Sequence, residues 1–295
     1  MILAVQGALA AITLWFAAVF GMDFMKHKDS LEADTSWGKM FGIGFVTDFF
    51  DTLGIGSFAP TVALSKAFKQ VHDRVMPGTL NVSHTIPVVI EALIFITVIE
   101  VEPVTLISMV TAATLGAWLG AGFVAKLPEK KIQFFMGIAL FVTAFIMFSG
   151  KMGWMPGGGE AIGLTGGALI AGNVGNFILG ALMTAGIGLY APCMALVYML
   201  GMSAKVAFPI MMASCAFLMP VASIKFIKEA AYDRKASMAI TIGGTIGVFI
   251  AAFIVKSLPL NILQWLVIGV IIYTSITMIR RSMHNTAAAG APEAK

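Results

Sequence analysis

Two stretches of this chain repeat each other: Gly54-Ile55-Gly56-Ser57-Phe58-Ala59-Pro60-Thr61-Val62-Ala63-Leu64 and Gly186-Ile187-Gly188-Leu189-Tyr190-Ala191-Pro192-Cys193-Met194-Ala195-Leu196. Seven of the eleven positions are identical at a constant offset of 132 (186 − 54). Both copies lie in apolar sequence long enough to enter a bilayer. A Gly-x-Gly followed by Pro interrupts a helix, and interrupted backbone at membrane depth survives only where it is buried in protein or lines a cavity. Paired interruptions at matching positions of two halves point to the binding site of a carrier.

The rest of the chain agrees with a bilayer setting. Of its 295 residues 59% are hydrophobic and 12% charged, against roughly 25% charged in a soluble domain. It reads as a polytopic membrane protein, since even the longest polar stretch, Asp23 to Trp37, is too short to fold alone. A net charge of +4 fits a bias of basic loops to one face better than nucleic-acid binding. Residues 1–22 lack a basic start and read as a retained helix rather than a cleaved signal. Cys193 and Cys215 both fall in apolar segments, as packed thiols do. No P-loop lysine and no His/Cys cluster of metal-ligand spacing is present, so neither metal, cofactor nor ATP drive is expected.

Runs of spanning length occur at about 1–22, 79–99, 104–125, 131–149, 206–227, 237–256 and 260–279, with the two breaks inside 38–68 and 162–200. The repeat extends past the breaks. Thr111, Phe123 and Lys126 recur as Thr241, Phe253 and Lys256, and Leu127-Pro128 is echoed by Leu258-Pro259. If each broken element crossed the membrane, the 19 basic residues would divide 8 to 11 between the faces; if each turns back, they divide 16 to 3. The positive-inside rule prefers the second. The expected fold is therefore all-α and polytopic, with about seven transmembrane helices and two re-entrant broken elements in an inverted internal repeat. Its expected parts are a first helix and cytoplasmic loop (1–37), two repeat halves (38–150 and 151–283) and a disordered Ala/Gly-rich tail (284–295). The N-terminus lies outside and the C-terminus in the cytoplasm. Inverted repeats of this kind build alternating-access carriers.

With Gly54, Gly56, Pro60 and Leu64 matched by Gly186, Gly188, Pro192 and Leu196, the chain resembles the sulfite exporter TauE/SafE family of membrane permeases over roughly residues 38–280. It departs from the family where Ser57-Phe58 and Leu189-Tyr190 replace further glycines. The resemblance implies a non-enzymatic role, movement of sulfite or a small organosulfur anion across the cytoplasmic membrane. A passive anion channel, and a membrane enzyme or maturation factor using Cys193 or Cys215, are the alternatives.

A helix that starts at a break presents unpaired N–H groups and the positive end of its dipole. The backbones of Gly54, Ile55, Gly56 and Ser57, and of Gly186, Ile187, Gly188 and Leu189, are thus candidates to hold a small oxyanion. Thr52, Ser57 and Thr184 would add hydroxyls. The competing reading is that the glycines only let helices pack closely. Asp48 and Asp51 share a helical face before the first break and are candidates for proton or cation coupling. Alternatively Asp48 lies at the interface, solvated or paired with Lys39. Glu91 sits mid-helix with His84 two turns earlier on the same face. The two form a proton relay, an interhelical contact or the seam of a homodimer. Ser83 and His84 align with Ser214 and Cys215, which makes Ser83, His84 and Ser214 candidates to face the same cavity.

Overall fold

Hydrocarbon offers no hydrogen bonds, so backbone groups in an apolar chain of this kind must pair within helices. The computed structural model describes residues 2–95, 101–154, 159–253 and 260–289. Within them lie eleven α-helices: α1 (Ile2–Lys26), α2 (Trp37–Thr52), α3 (Phe58–Ala67), α4 (Met76–Phe95), α5 (Pro103–Val124), α6 (Glu129–Lys151), α7 (Gly166–Met183), α8 (Tyr190–Met199), α9 (Ala204–Lys228), α10 (Arg234–Phe253) and α11 (Leu260–Ala289). Lys256 and the Leu258-Pro259 echo lie outside the described residues. Helix α11 runs to Ala289, into the stretch 284–295 read above as a tail.

Among the described residues six helices are long and apolar enough to cross a membrane: α1, α5, α6, α7, α9 and α10. Five of them coincide with expected spans. The sixth, α7, belongs to the second broken element, yet its 18 residues reach about 27 Å, close to the thickness of the hydrocarbon core. Its counterpart α2 has 16 residues and two acids.

The breaks are made by the first glycine of each motif. At the end of α2, Gly54 N–H bonds to the Asp51 carbonyl at 2.8 Å and Ile55 N–H to the Phe50 carbonyl at 3.1 Å. At the end of α7, Gly186 and Ile187 make the same pair of bonds to Met183 and Leu182 at 3.0 and 3.4 Å. This is the Schellman stop, whose pivot residue must be left-handed, and Gly54 and Gly186 have φ of 88° and 99°. The prolines do not interrupt anything. Pro60 and Pro192 fall in the first turn of α3 and α8, where a missing N–H costs no helical bond.

Glycines also set the packing. Helix α2 runs along α10, and α5 along α7. Gly243 and Gly247 lie against the Phe41 and Phe45 carbonyls, while Gly116 and Gly180 lie against those of Phe177 and Ala113, all too close to admit a Cβ. Small residues at such crossings let backbones approach, which is how helices associate where apolar burial gives no driving force. Helices α4 and α9 pack together at the centre, and α6 lies along α11. Helix α1 leans on α9 with only 17% of its span buried.

Each broken element ends beside its own beginning. Thr35 Oγ1 donates to the Gln70 carbonyl at 3.1 Å and Ser36 N–H to Gln70 Oε1 at 2.8 Å, so the chain after α3 meets the chain before α2. In the second half, Gly159 N–H bonds to the Met202 carbonyl at 3.0 Å and Ser203 N–H to the Ala161 carbonyl at 2.8 Å, so the chain after α8 meets the chain before α7.

Candidate functional site

The starts of α3 and α8 share one cavity of about 20 Å³, lined by Asp51, Gly56, Ser57 and Phe58 from the first break and Gly188, Leu189 and Tyr190 from the second. Val88, Met183 and Cys215 complete the wall. That volume takes about one water molecule, so the two tips are closed on each other. Neither Ser57 nor Leu189 caps its own helix with a side chain, and at the first break the Asp51 carboxyl meets the Ser57 N–H and hydroxyl. Gly56 has φ of 89°, a conformation that side chains resist. Gly188 is outside that region, and a Cβ there would meet nothing closer than Phe58 at 4.0 Å. The backbone therefore requires three of the four motif glycines, and Gly188 is the exception.

The ionisable groups gather behind the first break. Asp48 is fully buried, which removes the alternative of a solvated carboxyl. Its Oδ1 lies 2.7 Å from His84 Nδ1, and His84 Nε2 lies 3.1 Å from Thr61 Oγ1. Thr61 donates to Thr47 Oγ1 at 3.0 Å, and Thr47 donates to the Ile43 carbonyl at 2.9 Å. Phe58 covers the imidazole with ring centroids 5.8 Å apart. The partner of His84 is thus Asp48 on α2, and the expected Glu91–His84 pair does not form. Residues seven apart share a helix face, but the nearer partner comes from the crossing helix.

Glu91 is also fully buried. Thr52 donates to its Oε1 at 2.8 Å and Tyr190 donates to its Oε2 at 3.1 Å. The second contact joins an acid of the first half to the opening residue of α8. Asp51, 2% exposed, lines the cavity itself and lies against Ser57.

Other candidates go elsewhere. Thr184 is buried and bonds back to the Ala181 carbonyl at 2.6 Å. Ser214 accepts from Asn176 at 2.9 Å, and the Ser83 carbonyl accepts from Thr241 at 2.8 Å. None of the three lines the cavity between the tips, because each serves a contact between or within helices. Gly54 and Ile55 face a second cavity of about 240 Å³, shared with Ala191, Met194 and Lys151. Gly186 lies against Met136 and Ile187 carries the helix stop. On the face where α2 begins, a cavity of about 1050 Å³ is lined by Lys66, Lys69, Gln70, Asp73, Gln133 and Arg280, among others.

Tyr190, Thr61, Thr47 and Gly244 were not legible as site residues. The advance signals were the position of Tyr190 and Thr61 inside the repeated motif and the alignment of Cys215, which lines the cavity, with His84. Gly244 on α10 lies against Asp48 Oδ2, leaving no room for a Cβ. Among the described residues no group of three or more His, Cys, Asp or Glu is placed to hold a metal ion.

Residues 168–294 match the family model described as Sulfite exporter TauE/SafE. That stretch covers α8, α9 and α10 entirely, with most of α7 and the described α11, and so includes the second break. Comparison with curated proteins and with solved structures returned no match.

Proposed function

Taking the family match over residues 168–294 as the premise, we propose that this multi-pass membrane protein is a secondary active transporter of a small sulfur-containing anion, sulfite or an organosulfonate, working by alternating access. The observation that carries this reading is the single cavity shared by the starts of α3 and α8. Each helix start is equivalent to about half a positive charge, so two of them meet the charge of a monoanion without any lysine or arginine. Gly56 lets an oxyanion approach backbone N–H groups. The backbones of Ser57 and Leu189 would supply leading donors, with the Ser57 hydroxyl beside them.

The same reading takes the two broken elements as re-entrant hairpins of an inverted repeat. Their support is the return of each element to its own start, and the matched packing of α2 on α10 and of α7 on α5. With the basic residues on the cytoplasmic side, the large cavity at Lys66, Lys69 and Arg280 is the inner vestibule. The cavity at Gly54, Ala191 and Lys151 is then the outer approach.

Asp51 and Glu91 supply the coupling. An anion and several bare carboxylates are not compatible inside one sealed, low-dielectric space. Protons on these acids accompany closure of the tips, and Glu91 passes its state to α8 through Tyr190. The test is counterflow of radiolabelled sulfite into proteoliposomes loaded with sulfite, sulfoacetate, taurine or sulfate. Uptake driven by an internal sulfur anion is expected. Passive flux without counterflow would mean a channel, and no flux with any of these anions would remove the substrate assignment.

A further inference from the structure

We infer that Asp48 and His84 form a resident, net-neutral proton-binding pair, with His84 Nε2 protonated and a further proton shared between His84 Nδ1 and Asp48 Oδ1. The argument starts at the far end of the hydrogen-bond chain, where the donors can be counted. Thr47 Oγ1 and the Ile43 carbonyl oxygen are 2.9 Å apart. Two buried oxygens at that distance need a hydrogen between them, and the carbonyl has none to give. The Thr47 hydroxyl hydrogen is therefore committed to Ile43, and Thr47 faces Thr61 as an acceptor. Thr61 donates its only hydrogen across the 3.0 Å to Thr47. It can then meet His84 Nε2, 3.1 Å away, only by accepting, so Nε2 carries hydrogen.

The opposite nitrogen completes the count. Nδ1 and Asp48 Oδ1 are 2.7 Å apart and both fully buried, a separation that holds one proton whichever atom owns it. With Nε2 also protonated the pair sums to zero charge. The alternative polarity would reverse both threonines and leave an ionised carboxylate beside a neutral imidazole. It would set two lone pairs against each other at Thr47 and bury a net negative charge, which apolar surroundings strongly disfavour. Asp48 Oδ2 has no hydrogen-bond partner among the described residues and lies against Gly244. An oxygen in that position is far less costly in a neutral pair than as part of a bare charge. The titratable groups facing the pair are Asp51 from α2 and Glu91 from α4, while α3 presents Phe58 and Thr61 and α10 presents Gly244.

The protonation state follows from the geometry alone. The further step, that this proton stays in place during transport while Asp51 and Glu91 exchange theirs, rests on the coupled carrier proposed above. Nitrogen-15 NMR of the purified protein with labelled histidine, assigned by His84→Gln, tests the first part. His84 should show a protonated Nε2 and a hydrogen-bonded proton at Nδ1. An unprotonated Nε2, or no proton between Nδ1 and Asp48, would overturn the inference. The second part is read from the proton-to-sulfite ratio of the Asp48→Asn, His84→Gln double variant, whose two amides keep a neutral hydrogen-bonded pair. An unchanged ratio is expected, and a fall in the ratio with sulfite flux retained would overturn the resident role. If the parent protein moves no sulfur anion, the transport proposal fails while the NMR result still decides the state of the pair.

Discussion

The two breaks have the same backbone and opposite chemistry. Both end a helix with a Schellman glycine, both begin the next helix with Pro in its first turn, and their tips meet at one cavity. Behind the first tip stand Asp48, Asp51, His84 and Thr61. At the counterpart positions behind the second stand Gly180, Met183, Cys215 and Cys193. There Cys215 Sγ, at the position of His84, lies 3.8 Å from Met183 Sδ, at the position of Asp51, and glycine takes the place of Asp48. The two breaks share what the backbone needs, because a helix stop has few solutions. They do not share charge, because one buried ionisable cluster is already costly.

The largest effect should come from breaking the shared backbone. Gly54→Ala, Gly56→Ala and Gly186→Ala each force a side chain into left-handed backbone at about 1–2 kcal/mol, and Gly186→Ala also meets Met136. Sulfite counterflow should fall about tenfold or more in each. Gly188→Ala should stay close to the parent, and equal loss at all four positions would mean the glycines matter for ligand approach rather than conformation.

Next is the contact between the halves. Tyr190→Phe leaves Glu91 Oε2 without its donor, a loss of about 1–3 kcal/mol, to be read as a lower thermal midpoint and a lower proton-to-sulfite ratio. A lower midpoint with an unchanged ratio would make Tyr190 a packing residue. Gly244→Ala pushes a methyl group onto Asp48, with a cost of about 1–3 kcal/mol. The counterpart Thr114 already carries a Cβ, so Thr114→Ala should change little, its hydroxyl bonding only back to the Val110 carbonyl.

The smallest effect contrasts two helix caps that correspond at an offset of 131 (233 − 102). Glu102 caps α5, accepting from Thr105 Oγ1 and from the Val104 and Thr105 N–H groups, and these bonds hold its carboxyl below the usual range. Asp233 caps α10 through Ala236 N–H, but burial dominates and pushes its carboxyl up to about 6. Their contributions to stability have opposite signs. Asp233 in the folded protein holds its proton more tightly than the unfolded chain does. Its contribution is full below the ordinary value of 3.8 and is lost as pH rises through about 6. That of Glu102 is present above its ordinary value of 4.5 and is lost as pH falls through its lowered folded value. Unfolding in detergent as a function of pH checks both. Asp233→Asn should flatten the fall in stability between about pH 4 and about pH 6, and Glu102→Gln should lose a small increment at neutral pH that disappears in acid.

Sequence alone determined the helical membrane architecture, the position of both breaks and the half that carries the acids. Those follow from hydropathy over a span's length, from glycine and proline chemistry, and from residue identity, all of which are local. Tertiary structure decided who meets whom. His84 lies on the same helix face as Glu91, yet it bonds to Asp48, because α2 crosses α4 at that level. Glu91 turns instead to Tyr190, 99 positions away in the other half. Ser83, Thr184 and Ser214 had the right polarity and the right repeat positions but were drawn into helix contacts. Gly188 matched Gly56 letter for letter and still adopted a backbone open to other residues. Side-chain pairing depends on the crossing points of helices distant in sequence, and no periodicity along the chain records where those crossings fall.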